Sequence, residues 1–175
     1  ASPDRLCLTP GANQAVYIAL SVLADPGDEV ILLRPYYFNN LMALQLLGLK
    51  PVPVDAGLDG TIDPEAVRRA VGRRTRAVIV ISPNNPTGAV AGRDTWRELL
   101  RIVREAGLSL IADEAYRDFA WDGPHVSPLS LEADHVVGVF SFSKSFGMAG
   151  WRLGFFYAPP ELVVQAVKAA DTMHI

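Results

Sequence analysis

Short runs rich in valine and isoleucine alternate with segments of helical periodicity along the whole chain. This alternation restricts the possible folds more than any other property. Six runs read as strands: Glu29–Leu33, Pro51–Val54, Ala77–Ile81, Ser109–Ala112, Val136–Ser141 and Leu153–Tyr157. Most are apolar at consecutive positions, as expected of parallel strands covered on both faces. Between them, Asn13–Leu23, Phe38–Leu47, Pro64–Val71, Arg93–Glu105 and Pro160–Met173 read as helices. In the fourth of these, Trp96, Leu99, Leu100 and Val103 recur at i, i+3, i+4 and i+7, which makes one apolar helix face. Asp25-Pro26-Gly27-Asp28 and Asp122-Gly123-Pro124 are turn punctuation. The pattern predicts an α/β fold of three layers, α/β/α, with a mostly parallel sheet. A length of 175 residues suits one such domain, which would bury roughly 70% of its unfolded surface.

Ligands of such sheets bind beyond the carboxyl ends of the strands. Asn85, Asp113, Ser141, Ser143 and Lys144 all fall at or just after predicted strand ends, so residues distant in sequence should converge on one edge. The densest of these segments is Ser141-Phe142-Ser143-Lys144-Ser145-Phe146-Gly147-Met148-Ala149-Gly150-Trp151-Arg152. Lysine is rare here: Lys50, Lys144 and Lys168 are the only three, against thirteen arginines. Arginine stays charged, whereas lysine can lose its proton and attack a carbonyl. A lysine flanked by hydroxyls, glycines and an arginine points to a covalent link with a phosphorylated carbonyl compound, a description that pyridoxal phosphate fits.

Composition excludes other classes. Arginines are interspersed with acids and the net charge is −3, which argues against a nucleic-acid binder. The single Cys7 rules out an internal disulfide and fits a reducing cytoplasm. No apolar run approaches the roughly 20 residues of a membrane span, and no signal peptide is evident. His125, His135 and His174 are scattered without metal-ligand spacing, so surface or loop roles are expected and no metal site. Trp121 and Trp151 are expected to be packing residues.

Five segments in register carry a resemblance: Thr9-Pro10-Gly11-Ala12-Asn13-Gln14-Ala15, Arg34-Pro35-Tyr36-Tyr37, Ser82-Pro83-Asn84-Asn85-Pro86-Thr87-Gly88, Ala112-Asp113-Glu114-Ala115-Tyr116 and the lysine segment. With these the chain resembles the large, cofactor-binding domain of fold-type I pyridoxal-phosphate enzymes of the class I/II aminotransferase group. The resemblance implies an aminotransferase that moves an amino group between an amino acid and a 2-oxo acid through a Lys144 aldimine. Lys144 would also carry the substrate α-proton. It further implies that Ser141, Ser143 and Arg152 hold the phosphate, with backbone N–H groups of Gly11, Ala12 and Asn13 completing the cup. Such a cup suits an anion because a helix start presents free amides and glycine permits close approach. Asp113 would pair with the pyridinium nitrogen, Glu114 would point elsewhere, Tyr116 and Asn85 would meet the phenolic oxygen, and Tyr37 rather than Tyr36 would stack on the ring. Asn84 is expected to be a turn residue.

Other chemistries use the same scaffold, among them β-lyases, cyclases, racemases and amino-acid oxidases, and so do cofactor-binding regulatory domains. The resemblance also implies a homodimer. It suggests that residues 1–175 are the large domain alone, lacking the family's amino-terminal arm and its smaller carboxyl-terminal domain, which usually supplies the arginine for the substrate carboxylate.

Overall fold

A computed structural model describes residues 2–121 and 123–173; the expectations for Asp122 and His174 lie outside the described residues. In chain order the elements are β1 (Leu6–Thr9), α1 (Ala12–Leu23), β2 (Glu29–Arg34), α2 (Phe38–Leu46), β3 (Lys50–Asp55), α3 (Pro64–Ala70), β4 (Thr75–Ile81), α4 (Arg93–Ala106), β5 (Ser109–Asp113), β6 (Val136–Ser141), β7 (Gly154–Tyr157) and α5 (Pro160–Met173). The seven strands form one sheet in the order β1-β7-β6-β5-β4-β2-β3. β2 to β6 run parallel, while β7 is antiparallel to both β6 and β1. The fold is α/β with a mostly parallel sheet, as the sequence predicts.

Both faces of the sheet are covered, which explains the uninterrupted apolar runs. Val30, Leu32, Ala77, Ile79, Ile111, Val137 and Val139 pack in one cluster with the buried faces of α1, α2 and α5. Their neighbours Ile31, Leu33, Val78, Val80, Leu110, Ala112 and Val136 pack in the other, with α3 and α4. Strand alternation therefore divides each run between two cores. Full burial of one such aliphatic side chain stabilises the fold by about 1.5–3 kcal/mol. α4 buries Trp96, Leu99, Leu100 and Val103 and ends on left-handed Gly107, a backbone conformation that glycine adopts without the strain a side chain would add. α3 starts at Asp63, whose carboxylate accepts the Glu65 N–H at 2.9 Å, followed by Pro64. That carboxylate satisfies a backbone donor that the helix itself leaves free.

β1 was not among the predicted strands. Its four residues alternate exposed and buried at the sheet edge, and the register pairs Leu6 with Tyr157 and Thr9 with Gly154. Because β7 runs backwards, its first residue lies at the same sheet edge as the carboxyl ends of β1 and β6. Among the described residues no helix is long and apolar enough to cross a membrane.

Candidate active site

The carboxyl edge gathers the chemistry. A pocket there is lined by Ile81, Asp113 and Ser141 from the ends of β4, β5 and β6, by residues of the loops after them, and by the helix starts that follow β1 and β2. After β4 the chain is held by Ser82, a buried residue whose Oγ accepts the Ala91 N–H at 2.9 Å. Asn84 Oδ1 accepts both the N–H and the hydroxyl of Thr87, so Asn84 shapes the turn and its neighbour Asn85 reaches the pocket. This is the division expected of the pair.

On one side the site is built around two glycines. Gly11 adopts φ +86°, and a Cβ there would lie 2.5 Å from Arg152 Nη2. Gly154 is tighter still: a Cβ would meet backbone atoms of Gly11 and Ala12 at 2.8–2.9 Å. Their missing side chains let the turn into α1, the start of β7 and the Arg152 guanidinium approach closely. Thr9 Oγ1 donates to the Gly11 carbonyl at 3.0 Å and fixes the turn. The first amides of α1 have no partner inside the helix, and Ala12 and Asn13 line the pocket. Arg152 itself is left-handed, at φ 50° and ψ 49°, and its Nη1 donates to the Ala149 carbonyl at 3.0 Å. Ser141 and Ser143 line the same wall, with Ser141 Oγ accepting the Ser143 N–H at 3.2 Å. Two hydroxyls, a helix start and a guanidinium form a cradle suited to a tetrahedral anion. Gly11 acts through its conformation and closeness rather than by lining the cavity.

Across the pocket stand an amine and a buried carboxyl. Lys144 is exposed, and its Nζ lies 5.5 Å from the centroid of the Tyr116 ring, a cation–π distance. Asp113 is 7% exposed, and its Oδ1 accepts the Ala115 N–H at 3.0 Å. Burial pushes its pKa up to about 6, the Ala115 N–H pulls it back, and the nearby Glu114 carboxylate adds a smaller upward push. Such a carboxyl can gain or release a proton near neutral pH, and a cation placed against it would restore its charge. Tyr37, at the start of α2, lines the pocket and its hydroxyl accepts from Asn39 Nδ2 at 2.7 Å. Tyr36 packs against the core instead.

Ten of the eleven candidate residues thus face one cavity and Gly11 shapes it. Sequence reasoning missed Gly154, and the buried environment of Glu114. Glu114 does point away from Asp113, and is 1% exposed. Its Oε2 lies 2.7 Å from His125 Nε2 and its Oε1 accepts from Ser127 Oγ at 2.7 Å. His125 does lie in a loop, one of the two places expected of it, but not at the surface: its side chain is 6% exposed, and a buried carboxylate needs a donor. The packing expectation for the tryptophans also fails, since Trp121 and Trp151 are 83% and 77% exposed. His135 is half-buried, with its Nδ1 3.3 Å from the Leu108 carbonyl oxygen.

Comparison with known proteins gives a consistent result. The aspartate/prephenate aminotransferase of Thermus thermophilus is 37% identical over 164 residues, covering 93% of this chain and 43% of the relative. The aromatic aminotransferase ISS1 of Arabidopsis thaliana is 36% identical over 180 residues, covering 98% and 45%. The chain also superposes on a solved Thermus thermophilus aspartate aminotransferase tetra mutant with a TM-score of 0.96 and 34% identity, over 98% of this chain and 48% of that one. It therefore spans less than half the length of these relatives. The family described as "Aminotransferase class I and II" matches residues 1–175, and the chain belongs to that family.

Proposed function

We propose that the chain is the pyridoxal-phosphate-binding domain of an aminotransferase. The observation that carries this reading is one pocket in which an anion cradle, a primary amine and a buried carboxyl face each other. The residues fit the cofactor's three polar parts: the cradle of Ser141, Ser143, Arg152 and the start of α1 suits a phosphate dianion, Lys144 suits an aldehyde, and Asp113 suits a protonated ring nitrogen. When bound, pyridoxal phosphate supplies an electrophilic carbonyl and a ring that takes up the electron pair left on an amino acid after its α-proton is removed.

The chain's own residues would then divide the work. Arg152, Ser141, Ser143 and the Ala12 and Asn13 amides would hold the phosphate and so fix the ring's position. Asp113 would favour a proton on the ring nitrogen, because its burial raises the energy of an unpaired carboxylate and so favours a positive partner. Tyr116 and Asn85 would serve the phenolic oxygen as hydrogen-bond donors, and Tyr37 would flank the ring. Lys144 Nζ would supply the amine for the carbonyl and, when neutral, a general base able to hold the α-proton. The overall reaction moves an amino group from an amino acid to a 2-oxo acid. In the whole protein, substrate-carboxylate recognition is assigned to residues outside this chain, 1–175 serving as the large domain, and a homodimer is the expected assembly. The buried, free Cys7 supports a reducing, cytoplasmic setting.

The test is reduction with borohydride after incubation with pyridoxal phosphate, followed by peptide mapping. A pyridoxyl label on Lys144 that is absent from Lys144→Ala is the expected result. Labelling of Lys50 or Lys168 at equal yield, or none, would overturn the reading.

A further inference from the structure

Two adjacent carboxyls end β5, and only Asp113 belongs to the pocket. Strand alternation sends Glu114 to the opposite side, towards the face covered by α4. Its backbone N–H donates to the Val139 carbonyl at 2.9 Å, one step beyond the last ladder pair, Asp113 with Val139. The chain then leaves the sheet: Ala115 N–H caps Asp113, Arg117 N–H donates to the Glu114 carbonyl at 3.0 Å, and Phe119 N–H donates to the Tyr116 carbonyl at 2.8 Å. This tight turn aims Tyr116 into the pocket. Its far limb returns as the segment carrying His125 and Ser127, and both of these side chains close on Glu114 at 2.7 Å.

A carboxylate 1% exposed is costly unless its oxygens are satisfied. Here one donor on each oxygen meets that need, and both donors come from the returning limb. Among the described residues His125 Nδ1 is buried without a hydrogen-bond partner, and Nε2 is the nitrogen that engages Glu114. Resting on the cofactor reading above, we infer that Glu114, His125 and Ser127 are positioning residues. They clamp the base of the excursion between β5 and β6, so that Asp113 and Tyr116 keep the spacing that a flat aromatic ligand requires. The clamp acts through the backbone turn, and none of the three residues lines the pocket. The same contacts could merely staple a loop, and the two roles differ in what they move.

The experiment compares the parent protein with Ser127→Ala, His125→Gln and Glu114→Gln. In cofactor-free protein, amide exchange at Ala115, Arg117 and Phe119 should quicken by about tenfold in Ser127→Ala, equivalent to about 1.4 kcal/mol, while amides in β2 and β4 stay unchanged. In protein loaded with pyridoxal phosphate, the induced circular dichroism of the bound cofactor should fall, and its dissociation constant should rise by about tenfold. His125→Gln, which keeps a donor, should recover part of both signals, whereas Glu114→Gln should not. Uniform quickening across the sheet, or local quickening with unchanged dichroism and affinity, would overturn the inference. If the parent takes no label on Lys144, the cofactor reading fails, and the exchange measurement still decides whether the clamp orders the turn.

Discussion

An Asp113→Asn variant is expected to be more stable than the parent when no cofactor is present. The Asp113 carboxyl is ordinary when unfolded, near 3.8, and is pushed to about 6 in the fold, chiefly by burial. Between those values the native state binds more protons than the unfolded state, so stability falls as pH rises through the window from about 4 to about 6. At about 1.4 kcal/mol per pH unit the gap corresponds to about 3 kcal/mol, lost in full above pH ~6. The hydrogen bond from Ala115 is already included in that balance, and an asparagine carbonyl oxygen can still accept it. Urea unfolding of both proteins from pH 4 to pH 8 should therefore give nearly equal stabilities at about pH 4. By about pH 7 the variant should lead by about 3 kcal/mol, or roughly 6–12 °C in Tm for a domain of this size. Saturating pyridoxal phosphate should reverse the order, because ligand binding stabilises whichever protein holds it more tightly. Parallel pH profiles for the two cofactor-free proteins, within about 0.5 kcal/mol throughout, would refute the argument that Asp113 is held at an energetic cost for its role.

Gly154→Ala should lower stability by about 1–3 kcal/mol in urea unfolding, because the Cβ would meet backbone atoms of Gly11 and Ala12 at 2.8–2.9 Å that cannot swing aside. Arg152→Gly should relieve a left-handed residue at φ 50°, gaining about 1 kcal/mol, yet lose binding of pyridoxal phosphate measured by absorbance titration. Asp63→Ala removes the acceptor at the start of α3 and should cost about 1 kcal/mol, with cofactor affinity unchanged in the same titration.

The middle of the sheet was legible because β2, β4, β5 and β6 are buried on both faces, and continuous Val/Ile runs have few other uses. β1 escaped notice because four residues with alternating burial carry little periodic signal, and its strand character depends on pairing with β7, far away in sequence. The candidate site was legible for a related reason. Its side chains sit at strand ends, where the sequence marks the boundary, and only Gly11 and Gly154 depend on what crosses them in space. Gly154 had no local signal, since its need to be glycine arises from a turn more than 140 residues earlier. The clamp on Glu114 was hidden likewise: His125 and Ser127 are separated from it by an irregular excursion, and nothing in their spacing announces a return. Trp121 and Trp151 show the limit of residue type as a guide, because hydrophobic character alone does not say that a side chain is covered.

The pairing of β1 with β7 has a kinetic consequence for the anion cradle. One wall of the cradle comes from residues 11–13 and the other from residues 141–152, so it exists only after the two ends of the domain have met. Contacts of such long sequence separation bear the full entropy of closing the intervening chain, and they form late and slowly. The parallel centre, β2 with β4 to β6, can assemble without them. A chain emerging from synthesis would acquire most of its core before it could grip a phosphate, and acquire that grip only once Gly154 had packed on Gly11. On the proposed reading, phosphate affinity would thus be a readout of completed folding, and the cofactor would act as the latch on its final seam.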